Sequence, residues 1–164
     1  MTDDQPHWYA LRVFFNKVSP VENTLKDEFF NHFIPHGIIP SLIFVQTSEV
    51  KVKWLQEKFF GHISIYTTLD KRHPAIIPDK EMDTFMFVCT AGQQGLLYLG
   101  DDKPEYHIGE KVRVIEGPFK GIEGHIKRIK KDRRIIVSIN GIAAIATTFI
   151  PPQFLERCTD APSE

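Results

Sequence analysis

Apolar and polar positions alternate with two different periods along this chain, and the switches between them mark out its elements. Residues 8–15 set Tyr9, Leu11 and Val13 against Ala10, Arg12 and Phe14, the two-residue alternation of a strand. A four-residue spacing follows, because Val21, Leu25 and Phe29 repeat after Ser19-Pro20-Val21-Glu22. That tetrapeptide offers a capping hydroxyl, a proline suited to the first helical turn and a glutamate able to reach back, so a helix is predicted from there to about His32. Residues 33–36 and 39–47 read as strands joined at Gly37, with Pro40 marking an edge or an entry. Ser48 can cap a second helix whose apolar stripe is Val50, Trp54, Leu55 and Phe59 and whose stop is Gly61. Residues 62–67 form the next predicted strand. A third helix opens at Pro78-Asp79-Lys80-Glu81 with Met82, Phe85 and Met86 inward, and residues 96–99 give a short last strand. Strand, helix, strand, strand, helix, strand, helix is the order of an α+β layer, helices packed on an antiparallel sheet.

After residue 108 the pattern holds strands and turns only. Val112 and Val114 share one face, opposite Lys111, Arg113 and Ile115, and Gly117-Pro118 then ends the pairing with Phe119 on an exposed tip. Residues 126–129 and 134–139 flank Lys130-Lys131-Asp132-Arg133, and an apolar run covers 142–150. A small all-β barrel is the expected result. The charged, proline-containing stretch 101–108 reads as a linker, so the predicted organisation is 1–100, linker, 109–158 and a tail at 159–164.

Composition narrows the chemistry. With 164 residues, 42% hydrophobic, the chain has the makings of a globular protein, and it contains no apolar run near the ~20 residues of a membrane span. The acidic start Met1-Thr2-Asp3-Asp4 is unlike a signal peptide, so a cytoplasmic location without membrane contact is expected. Cys89 and Cys158 are too far apart in sequence for a disulfide framework or a zinc knuckle. His32 and His36 straddle Pro35 and cannot share a helical face, so no metal is expected. No nucleophile elbow, phosphate-cradling loop or metalloprotease pair is present, which argues against an enzyme and against a cofactor. Trp8, Phe14, Phe15, Phe44 and Trp54 are expected in the core. Net charge is −1, yet Lys127, Arg128, Lys130, Lys131, Arg133 and Arg134 crowd one hairpin with a single acid, Asp132, a cluster that can track phosphates.

Val112-Arg113-Val114, Gly117-Pro118-Phe119, Gly121, Gly124 and the return strand Ile136-Val137-Ser138-Ile139 resemble the KOW motif of NusG-type factors and ribosomal proteins. Upstream, Trp8-Tyr9-Ala10-Leu11-Arg12, Ile39-Pro40-Ser41-Leu42-Ile43-Phe44-Val45 and Pro78-Asp79-Lys80-Glu81-Met82 resemble, in the right order, the NGN domain of the NusG family. Residues 139–148 and 76–80 are similar to the specialised paralogues that serve capsular polysaccharide operons in Bacteroides-like bacteria. The resemblance implies an SH3-like KOW barrel after an NGN domain, in a transcription elongation and antitermination factor. It implies that Ile39, Leu42 and Phe44 dock on the clamp helices of RNA polymerase and that Arg12 and Lys17 lie near upstream or non-template DNA. It also implies that Phe119 and Ile122 receive a partner such as termination factor Rho or a small-subunit ribosomal protein. The family's glycine and tyrosine are Ser41 and Leu42 here, and its longer polar insertion between the second and third strands is missing. A ribosome- or RNA-binding KOW protein is the alternative, disfavoured by the NGN-like first half and by the lack of overall basicity.

Overall fold

The computed structural model describes residues 5–91 and 95–158; the acidic start and the expected tail at 159–164 lie outside the described residues. The chain divides into two compact units, Met1–Met82 and Asp83–Glu164. Among the described residues no helix is long and apolar enough to cross a membrane.

The first unit contains β1 (His7–Val13), α1 (Val18–Asp27), β2 (Asn31–Phe33), β3 (Leu42–Thr47), α2 (Glu49–Lys58) and β4 (Ile63–Ile65). Its sheet has the order β2-β3-β1-β4 with every neighbour antiparallel. The two-residue alternation sends Tyr9, Leu11, Val13, Ile43 and Val45 to one face, where they pack with Val21 and Leu25 of α1 and Val52 and Leu55 of α2. Each such side chain, fully buried, contributes roughly 1.5–3 kcal/mol. Trp8, Ala10, Leu42 and Phe44 alternate with them and are buried too. A strand covered on both faces reads as a continuous apolar run, as β3 does.

Both helices depart from the sequence reading in instructive ways. The N-cap of α1 is Lys17, with no side-chain cap, and Ser19 lies inside the helix. Phe15 and Asn16, at φ +58° and +56°, turn the chain into the helix earlier than the serine would. Pro20 is tolerated because the first-turn N–H groups have no partner in the helix anyway. Phe29, expected on the stripe, takes φ +59° after the helix has ended and is 93% exposed. In α2 the cap is as expected, Ser48 Oγ accepting from the Lys51 N–H at 3.3 Å. Its buried stripe is Val52 and Leu55, whereas Val50 and Trp54 are exposed and Phe30 stacks on the Trp54 ring at 6.3 Å.

α3 (Asp79–Ala91) begins in the first unit and runs into the second, with Met82, Phe85, Val88 and Cys89 buried at helical spacing. The second unit then adds β5 (Leu97–Gly100), β6 (Lys111–Val114), β7 (Glu123–Ile129), β8 (Asp132–Ile139), β9 (Ala143–Ala146) and β10 (Leu155–Arg157). These form a six-stranded sheet of order β10-β6-β7-β8-β9-β5, antiparallel throughout. Two expectations are corrected here. The strand expected to finish the N-terminal sheet, β5, pairs instead with β9. The expected linker is structured: Pro104–His107 forms a short 3-10 turn whose Tyr106 is buried with Leu99, Ile136 and Ala144. The Tyr106 ring, a single aromatic in a polar sequence, anchors it from within.

Candidate functional site

Ile39, Leu42 and Phe44, expected as an open apolar patch, are 3%, 4% and 0% exposed. For Leu42 and Phe44 the burial follows from the pleat, since β3 is flanked by β1 and β2 and covered on both faces, whereas Ile39 is buried in the turn before the strand. Just before β3, Ser41 adopts φ +66°, a conformation that favours glycine, and its carbonyl accepts from the Val13 N–H at 2.8 Å. The residue standing where the related family has glycine therefore keeps the glycine conformation. Ile39, Pro40, Ser41 and Leu42 border a recess of about 320 Å³ with Asn16 and Val18.

One open aromatic surface of this unit lies at the end of β1. Phe14 and Phe15, both expected in the core, are 39% and 76% exposed, with ring centroids 6.4 Å apart. Phe15 also meets the His62 ring edge-on at 6.1 Å, and Phe60, two residues before His62 in sequence, is exposed as well. Arg12 is exposed but anchored, its Nη2 donating to the Tyr66 hydroxyl at 3.0 Å and its guanidinium 5.6 Å above that ring. Lys17 is exposed at the start of α1.

In the second unit the glycine-rich turn after β6 folds back on itself. Val114 accepts from Gly121 and donates to Ile122, while Ile122 donates to the Phe119 carbonyl at 3.1 Å. Gly117 and Gly121 supply the positive φ this needs. The consequence is that Phe119 and Ile122 point inward, 5% and 3% exposed, rather than onto the tip as expected. Gly109 and Gly124 meet neighbouring backbone so closely that a Cβ would lie 2.0 Å from the Ile126 carbonyl oxygen and 2.4 Å from that of Ile136.

The basic hairpin divides into anchored and open residues. Arg134 is structural: Nη1 donates to the carbonyls of Gly95 and Thr147 at 3.1 Å each, and Nη2 lies 3.9 Å from Asp132. Lys127 is half-buried with its ammonium 5.3 Å from the Tyr106 ring centroid. Arg128, Lys130, Lys131 and Arg133 remain exposed. Neighbouring charges on β6 and β7 are matched instead, Arg113 Nε donating to Glu123 at 2.9 Å, which pushes the Arg113 guanidinium up from its ordinary value.

Sequence reasoning missed one polar staple. Asp102, with a side chain 3% exposed, accepts from the Gly141 N–H at 2.9 Å and from His107 Nε2 at 2.9 Å, tying the Pro104–His107 turn to the β8–β9 connection. Asp and His five apart in a linker-like stretch were the only sequence signal. Among the described residues no group of three or more His, Cys, Asp or Glu could hold a metal ion.

Residues 108–138, from the end of the expected linker through most of β8, match the KOW motif. Over 169 aligned residues the chain is 25% identical to the transcription termination/antitermination protein NusG of Haemophilus influenzae, covering 85% of this chain and 87% of that protein. Among solved structures, one of NusG from Thermotoga maritima describing its domain interaction superposes with a TM-score of 0.53 at 15% identity, covering 94% of this chain and 98% of that one. The KOW motif, the length-wide likeness and the shared fold agree: the chain is similar to NusG along most of its length and carries a KOW motif in its C-terminal half.

Proposed function

We propose that this protein is a transcription elongation and antitermination factor that binds RNA polymerase through its N-terminal unit and recruits a second partner through its KOW-bearing unit. The observation that carries this reading is the likeness to a termination/antitermination protein over 85% of the chain, which spans both units rather than the KOW motif alone. A KOW protein of the ribosomal or RNA-binding kind has no need of the β2-β3-β1-β4 sheet and its helices. Proteins of this family are not enzymes, and the function is one of binding.

Burial shifts the proposed polymerase contact. Ile39, Leu42 and Phe44 act from within, shaping the sheet and the adjoining recess, and the docking side chains proposed in their place are the exposed Phe14, Phe15 and Phe60. A few desolvated aromatic anchors can supply most of such an interface energy. Arg12 and Lys17 flank this surface in sequence and are the proposed contacts to upstream or non-template DNA. Phe119 and Ile122 support the turn that a termination factor or a small-subunit ribosomal protein would meet. The narrower reading, service to polysaccharide operons, rests on residues 76–80 and 139–148.

A co-precipitation with core RNA polymerase tests the docking claim. The full chain is expected to be retained, and a Phe15→Ser/Phe60→Ser variant with an unchanged far-ultraviolet spectrum is expected to be lost. Equal retention of both would place the contact elsewhere.

A further inference from the structure

Between β7 and β8 the hairpin turns on two residues, Lys130 and Lys131, at φ +51° and +75°. This pair of positive angles is that of a type I′ turn, which asparagine and glycine adopt with least strain. Two lysines hold it here. One rung below the closing pair Ile129 and Asp132, Arg128 stands directly opposite Arg133, and both are exposed. Like charges in that relation repel. None of these four cations makes an ion pair among the described residues, whereas Arg113, Arg134 and Arg157 are matched with Glu123, Asp132 and Glu110.

Strained lysines, opposed arginines and an absence of counter-charges all disfavour the folded hairpin on its own. An external polyanion would relieve the repulsion and supply the missing partners. We propose that the β7–β8 tip is a binding site for the phosphate backbone of nucleic acid, formed by Arg128, Lys130, Lys131 and Arg133. A protein partner would need an apolar anchor, and the exposed large apolar residues of the second unit, Phe87, Tyr98, Ile108, Ile115 and Phe149, all lie outside the hairpin. Four exposed cations at one tip suit phosphate oxygens, whose contacts fix position without reading sequence. This site is independent of polymerase docking, since it lies wholly within the second unit.

Fluorescence anisotropy with the full chain tests it, using labelled single-stranded RNA, single-stranded DNA and duplex DNA between about 50 and 200 mM salt. For four phosphate contacts the double-logarithmic salt slope should be about −3 for a single strand and about −3.6 for a duplex, so single-strand binding weakens roughly 60-fold across that range. Comparison of the three probes identifies the preferred backbone. Lys130→Asn/Lys131→Gly removes two charges while supplying the residues the turn favours. It should reduce the slope by about 1.4 on a single strand and leave the melting temperature unchanged or raised. Arg128→Glu, which sets opposite charges across the rung, should weaken binding more than tenfold without loss of melting temperature. No salt-dependent binding of any probe, or wild-type affinity in the Lys130→Asn/Lys131→Gly variant, would overturn the proposal. If Arg128→Glu melts early, the turn variant decides.

Discussion

Gly124 in β7 lies against the backbone of Ile136 in β8 so closely that a Cβ at position 124 would sit 2.4 Å from the Ile136 carbonyl oxygen. The glycine of the KOW motif is thus a packing requirement within the strand at this position. Gly124→Ala should destabilise the second unit by about 2 kcal/mol, the usual scale of overpacking. A urea melt followed by near-ultraviolet circular dichroism checks this, and an unshifted midpoint would show that the strands can part without cost.

Ser41 offers the opposite test. Because it holds φ +66° without being glycine, Ser41→Gly should stabilise the first unit by about 1 kcal/mol. Thermal melting reads the change directly. A lowered melting temperature would mean that the serine side chain contributes more than its backbone strain costs.

Leu42 is fully packed, so its substitution should report on folding before binding. Leu42→Ala should cost about 2–5 kcal/mol, and Leu42→Asp, which buries a carboxylate, should leave the first unit unfolded. A Leu42→Asp protein that folds normally, judged by its amide spectrum, would show that β3 is open on that face.

These cases show which features were legible beforehand. Ser48 was recognisable because an N-cap acts over three residues, and Ser48 does bond to Lys51. The start of α1 was not, since it is set by the left-handed Phe15 and Asn16 rather than by the serine at 19. Alternation in β1 and the apolar run of β3 identified the strands, but neither pattern says anything of sheet membership, and β5 went to the sheet of β9. Side-chain direction in turns was also hidden. Gly117-Pro118-Phe119 marks a turn without saying that the ring folds inward, and six basic residues in one hairpin do not say that Arg134 is pinned to two carbonyls.

The two thiols should differ sharply. Burial pushes the Cys89 thiol up to about 12, so its reactive thiolate is suppressed at neutral pH, whereas Cys158 is partly exposed. Because the unfolded thiol ionises near 9, this group favours the folded state fully below that pH and progressively less from there toward 12. Iodoacetamide at pH 8 should label Cys158 and spare Cys89 until denaturant is added, as read by peptide mass spectrometry. Equal labelling in the native protein would contradict the burial of α3.

The central claim is that the chain acts on transcribing RNA polymerase, and a purified elongation assay measures it most directly. Halted complexes are released onto a template with a known pause, and the pause lifetime is compared with and without the full chain. The account predicts a shorter lifetime and greater passage through a terminator, diminished in the Phe15→Ser/Phe60→Ser variant. Unchanged pausing and termination at saturating protein, with the chain correctly folded, would contradict it.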